Sequence, residues 1–113
     1  MVLQILQTIA AIGTIATGVF ALFWPRAVQG FTGLTLEGGR GVTEIRAVFG
    51  GFFIALGVVP LVLQDKATYQ MLGISYLVVA AIRAVSMFVD QSVVQSNVIS
   101  LGVEIVLGVI LVL

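Results

Sequence analysis

The chain has 113 residues, 60% of them hydrophobic and 9% charged, with five basic and five acidic residues and a formal net charge of zero. A soluble domain carries about 25% charged residues, and a short chain has much surface for its volume, so the solvent for most of this exterior must be lipid. With no basic tract, binding to nucleic-acid phosphates is excluded. With no cysteine and no histidine, disulfides, thiol redox chemistry, Cys/His zinc sites and His-ligated haem are excluded too. No metal or cofactor is expected.

The hydropathy pattern predicts an all-α integral membrane protein, an antiparallel four-transmembrane-helix bundle forming one domain over 1–113. The first span covers about 3–24. It ends where Pro25 removes a backbone donor and Trp24 suits an interfacial aromatic belt. Residues 25–41 hold five glycines, Glu37 and Arg40 and read as one long loop, its Phe31, Leu34 and Leu36 lying on the membrane surface or folding back on the bundle. The second span covers about 42–63, with Pro60 expected to kink or fray its last turn. A polar turn with Asp65 and Lys66 leads to the third span, about 68–89. Asp90, Gln91 and Ser92 turn the chain into the fourth, about 94–113. Four spans put both termini on one side. The arginines gather on the side of the long loop, so the positive-inside rule places that loop in the cytoplasm of a cell whose inner membrane holds the protein.

Six charged residues fall in loops or at helix ends. Glu44, Arg46, Arg83 and Glu104 do not. A charge at the bilayer centre costs at least about 2.5–3.5 kcal/mol on insertion scales, so these four ought to be paired. Arg83 and Glu104 fall at similar depths on consecutive spans and should form a buried ion pair. Arg46 is expected to approach the same carboxylate from span two, with Glu44 balancing it nearer the surface. Each span also has one small, polar face: Gln7 and Thr14 on the first, Gly50 on the second, Tyr76, Ser86 and Asp90 with Arg83 on the third, Asn97 and Ser100 with Glu104 on the fourth. Such faces point inward in membrane bundles. Ala47, Gly51 and Ala55 make a small-x3-small series, which would serve packing within the chain or a homodimer.

Glu44-Ile45-Arg46-Ala47 followed by Gly50-Gly51, then Arg83, Ser86 and Asp90, then Glu104, resemble in order and spacing a bacterial family of small four-helix membrane proteins of unknown function, itself distantly similar to the DoxX-like membrane proteins. That family usually continues the Asp turn with glycine, where this chain has Gln91. The resemblance implies the fold and the importance of Glu44, Arg46, Arg83 and Glu104. Some DoxX-like relatives are associated with quinone-linked oxidation and others with membrane-protein assembly. Neither role carries over residue by residue.

Three functional classes compete. In the first, the charged cluster is a ligand or proton site, binding or translocating a small polar, anionic or lipid-like molecule, with a lipid or a quinone as guest. In the second, the cluster is structural and the protein is a non-catalytic assembly partner. The third, an enzyme, is the weakest, because no nucleophile–base pair, metal set or phosphate loop is present.

Overall fold

A computed structural model describes all residues 1–113. The chain is all-helical, and four of its helices are long and apolar enough to cross a membrane: Val2–Phe23, Gly38–Leu63, Lys66–Val89 and Gln95–Val112. Helix α1 (Val2–Phe23) has 22 residues and no charge. At 1.5 Å per residue it is about 33 Å long, enough for a hydrocarbon core of about 30 Å.

The segment expected as one long loop is partly helical. Beyond Trp24-Pro25, a short α2 (Ala27–Thr32) ends at Gly33, whose φ of 77° and N–H bond to the Gln29 carbonyl make a left-handed cap. Helix α3 (Gly38–Glu44) starts after it, so the second long helix begins at Gly38 rather than near Val42. Glycine lowers helix propensity, and the run Gly38-Gly39-Arg40-Gly41 conceals this start. The chain then passes through a π-helical stretch, Ile45–Phe52, into α4 (Phe53–Leu63). Pro60 is buried within α4, and the helix continues past it to Leu63. Gln64 stops it with φ 52°. Asp65 caps α5 (Lys66–Val89), its carboxylate accepting from the Ala67 N–H at 2.9 Å. Gln91 turns the chain with φ 51°, and α6 (Gln95–Val112) completes it.

Packing divides the chain into two compact units, Met1–Ala10 with Asp65–Leu113, and Ala11–Gln64. In the first, α5 and α6 are an antiparallel pair. The two helices approach closely at Gly73 and Gly108. A Cβ on Gly73 would lie 2.7 Å from Leu111 Cβ, and one on Gly108 would lie 2.6 Å from Leu77 Cδ2. Gln7 joins this unit by donating to the Ile110 carbonyl at 3.1 Å. In the second unit, α1 from Ala11 onward runs antiparallel to the helix carrying Arg46, Gly50 and Gly57. A Cβ on Gly57 would lie 2.5 Å from the Ala11 carbonyl oxygen, and one on Gly18 would lie 2.6 Å from that of Gly50. Ala21, Val28 and Ile45 form a core here, with Leu36 and Phe49 against it. The Gly-rich connection thus folds back by Val28 and Leu36, while Phe31 and Leu34 stay exposed.

Candidate functional site

Arg83 sits in the C-terminal half of α5 and Glu104 in the middle of α6. Arg83 Nε donates to Glu104 Oε1 and Nη2 donates to Oε2, both at 2.8 Å, a fork-to-fork geometry that fixes direction as well as distance. The side chains are 31% and 11% exposed. The third guanidinium nitrogen, Nη1, donates to Asn97 Oδ1 at 2.9 Å, and Asn97 Nδ2 donates to the Ser92 carbonyl at 2.9 Å. One network therefore ties α5, both halves of α6 and the turn between them. No buried side-chain nitrogen or oxygen lacks a hydrogen-bond partner, which a buried ionic network requires if it is not to destabilise the fold.

A recess of about 370 Å³ opens beside this network. Val79 and Ile82 give it an apolar part; Arg83, Ser86, Asp90 and Asn97 give it a polar one. Arg83 has five N–H groups, and its three nitrogens spend one each on Glu104 and Asn97, so donor capacity is left over at the recess. The charge there is already balanced by Glu104, and Asp90 adds a carboxylate. The recess therefore meets spare N–H groups of Arg83 without carrying a net positive charge.

The other expected members are placed differently. Glu44 pairs with Arg40 one turn earlier, at 3.4 Å on an exposed face. Arg46 is exposed and donates from Nε to the Leu22 carbonyl at 3.1 Å. The four charges therefore do not share one neutral cluster: Glu44 has a partner within its own helix, and Arg46 caps the C-terminal end of α1, where unpaired carbonyls attract a cation. Gly50 packs on Leu22. Ser86, Asp90 and Asn97 come together around Arg83. Gln7 lies at the far end of α6, Thr14 is buried in the Ala11–Gln64 unit, and Tyr76 and Ser100 are half-buried. Ser92 joins the network through its backbone carbonyl, which side-chain periodicity cannot reveal.

These features define a class: all-helical chains with four membrane-length apolar helices and one internal Arg–Glu pair. Residues 2–113 match the family model for a domain of unknown function, DUF4345, and the chain belongs to that family. No curated protein and no solved structure matches it.

Proposed function

We propose that the protein is a multi-pass integral membrane protein, one domain of four alternately directed spans, and that the recess beside Arg83 receives the polar head of an amphiphilic, lipid-like ligand. The membrane reading is supported by helix length and by an apolar exterior: Ile5, Ile9 and Ile12 on α1, Ile82, Val85 and Phe88 on α5, and Val98, Val103 and Val106 on α6 are all exposed, far more apolar surface than water-soluble monomers show. With Arg26, Arg40 and Arg46 on one side, the long connection faces the cytoplasm of a bacterial inner membrane.

The observation that carries the ligand reading is Arg83, paired and oriented by Glu104 yet still offering N–H groups to a recess with an apolar part. A neutral acceptor suits it better than an anion, because the guanidinium charge is already balanced. A quinone carbonyl with an alkyl tail has that chemistry, in keeping with the distant DoxX-like resemblance. The test is photolabelling in native membranes with a short-chain benzoquinone carrying a diazirine. Saturable labelling of the Val79–Ser86 stretch, lost on Arg83→Leu with Glu104→Gln, is expected. Labelling spread evenly over the helices would leave the recess without a ligand.

A second reading, a scaffold or assembly partner, is favoured by a different observation. Ala47, Gly51 and Ala55 are all exposed, and a Cβ on Gly51 would meet nothing nearer than the Arg46 carbonyl at 4.0 Å. Such a face lets a second helix approach closely. A second copy of this chain is the simplest occupant.

A further inference from the structure

Arg26 and Arg46 are the two arginines without an acidic partner. The chain's ion pairs are Arg40–Glu44 and Arg83–Glu104, and neither Arg26 nor Arg46 enters them. Both line one recess of about 380 Å³, together with Phe23, Trp24 and Val42. The recess lies where α1 ends and the π-helical stretch begins. Single-turn π-bulges occur often at functional sites, and this stretch carries Arg46. Its guanidinium is anchored through Nε to the Leu22 carbonyl, which leaves both terminal nitrogens available. Arg26 makes no side-chain bond at all. Trp24 is 60% exposed and Phe23 63%, and their rings stack edge to face at 6.1 Å, the kind of aromatic rim that sits at a headgroup boundary. Two unneutralised guanidinium groups beside such a rim have one natural guest, an anionic phosphate group, which arginine binds through paired N–H bonds.

We propose that the Arg26–Arg46 recess is an anionic-phosphate site, separate from the Arg83 recess, occupied by the headgroup of an acidic phospholipid or by free phosphate. The site rests on the membrane reading only for the lipid source of its ligand. The chemistry is electrostatic on both sides: two fixed positive charges meet a phosphate at the interface, where each basic residue near an anionic surface contributes measurably to attraction.

Trp24 is the chain's single tryptophan, so its fluorescence reports this recess alone. The full chain in a neutral maltoside detergent is titrated with short-chain phosphatidylglycerol, with phosphatidylcholine of equal chain length, and with inorganic phosphate. A saturable change in Trp24 emission with phosphatidylglycerol, at least tenfold weaker with phosphatidylcholine, is expected. Saturation by inorganic phosphate at similar concentration assigns the free anion as ligand; saturation by phosphatidylglycerol alone assigns the lipid. Arg26→Gln removes no bond from the fold and should weaken binding about tenfold, as should Arg46→Lys, which keeps the charge but loses the planar fork. Lys66→Gln removes one positive charge from a different turn and should leave the titration unchanged. Equal responses to the two lipids with none to phosphate, or equal weakening by Lys66→Gln and Arg26→Gln, would overturn the proposal. Resistance of the chain to alkaline carbonate extraction, measured on the same preparation, reports separately on the membrane reading.

Discussion

Arg83 and Glu104, 21 positions apart on consecutive helices, meet through two parallel hydrogen bonds of 2.8 Å. The pair is mostly enclosed, and its third ligand, Asn97, is itself held by the Ser92 carbonyl. Such a pair fixes the register of α5 against α6, because a shift of one residue on either helix would separate the forks. It also holds the guanidinium plane still at the edge of a recess. The structural and the ligand-binding readings therefore use the same geometry and differ in what is lost when it is removed.

Arg83→Leu alone leaves a nearly buried carboxylate without its partner, which costs about 3–5 kcal/mol in comparable pairs. Arg83→Leu with Glu104→Gln leaves no uncompensated charge and is expected to recover most of that loss. Thermal unfolding in detergent measures both. Photolabelling by the quinone probe should stay absent in the double variant if Arg83 is the donor. Recovery of folding together with labelling would make the pair a register device and nothing more.

How far this was legible in the sequence depends on the element. Arg83 and Glu104 could be matched because the connection between their helices is short and both helices are regular, so depth counted from the turn is reliable. Span two was less readable for two physical reasons. Its start is written in glycines, which signal a loop. Beyond its first two turns it is π-helical over Ile45–Phe52, and the wider i→i+5 turn rotates the remainder of the helix relative to an ideal α-helix. The sequence puts Glu44 and Arg46 in one shared cluster, whereas the structure pairs Glu44 with Arg40 one turn away and Arg46 with the Leu22 carbonyl of α1. In the sequence Arg26 reads as an ordinary loop charge, since only the fold brings it to the recess that Arg46 lines.

The glycines of this helix should separate into two kinds. Gly57→Ala places a methyl 2.5 Å from the Ala11 carbonyl oxygen and 2.5 Å from Ile15 Cγ1. Overpacking of this sort costs about 1–3 kcal/mol, and here backbone blocks the relief. Gly51→Leu points into open space and should leave monomer stability within about 0.5 kcal/mol, the range of a typical surface change. If the Ala47–Gly51–Ala55 face joins two copies, the same change weakens the dimer, which crosslinking in membranes resolves. A Gly51→Leu chain that unfolds contradicts the exposure of this face.

Asn97 offers a test of the network by coupling rather than by loss. Asn97→Ala removes the acceptor of Arg83 Nη1 and the donor to the Ser92 carbonyl. In the background of Arg83→Leu with Glu104→Gln only the second bond remains to be lost, so the cost should be smaller. Polar contacts measured this way in a membrane protein reach about 0.6 kcal/mol on average and about 1.7 at most. A coupling energy in that range is expected from the double-mutant cycle. Equal costs in both backgrounds would mean that the Asn97–Arg83 contact contributes nothing to stability.

The turn after α5 carries the last expectation. Gln91 takes φ 51°, the left-handed region, which costs an L-residue roughly 1–2 kcal/mol relative to glycine. The Gln91 side chain makes no hydrogen bond that would offset the strain. Gln64 takes a similar φ of 52°, but its amide donates to the Leu61 carbonyl at 2.8 Å, so its side chain has a role at the end of α4. Glycine also adds unfolded-state entropy worth about 0.4–1 kcal/mol, which subtracts from the gain. Gln91→Gly should therefore stabilise the chain by about 0.5–1 kcal/mol after that subtraction, and Gln64→Gly should gain less or lose. Because Ser92 N donates to the Met87 carbonyl at 2.9 Å and the Ser92 carbonyl receives Asn97, relieving Gln91 should also steady the Arg83 network. Slower hydrogen exchange at the Ser92 amide in Gln91→Gly would show it. A loss of stability in that variant would mean that the Gln91 side chain carries an interaction of its own.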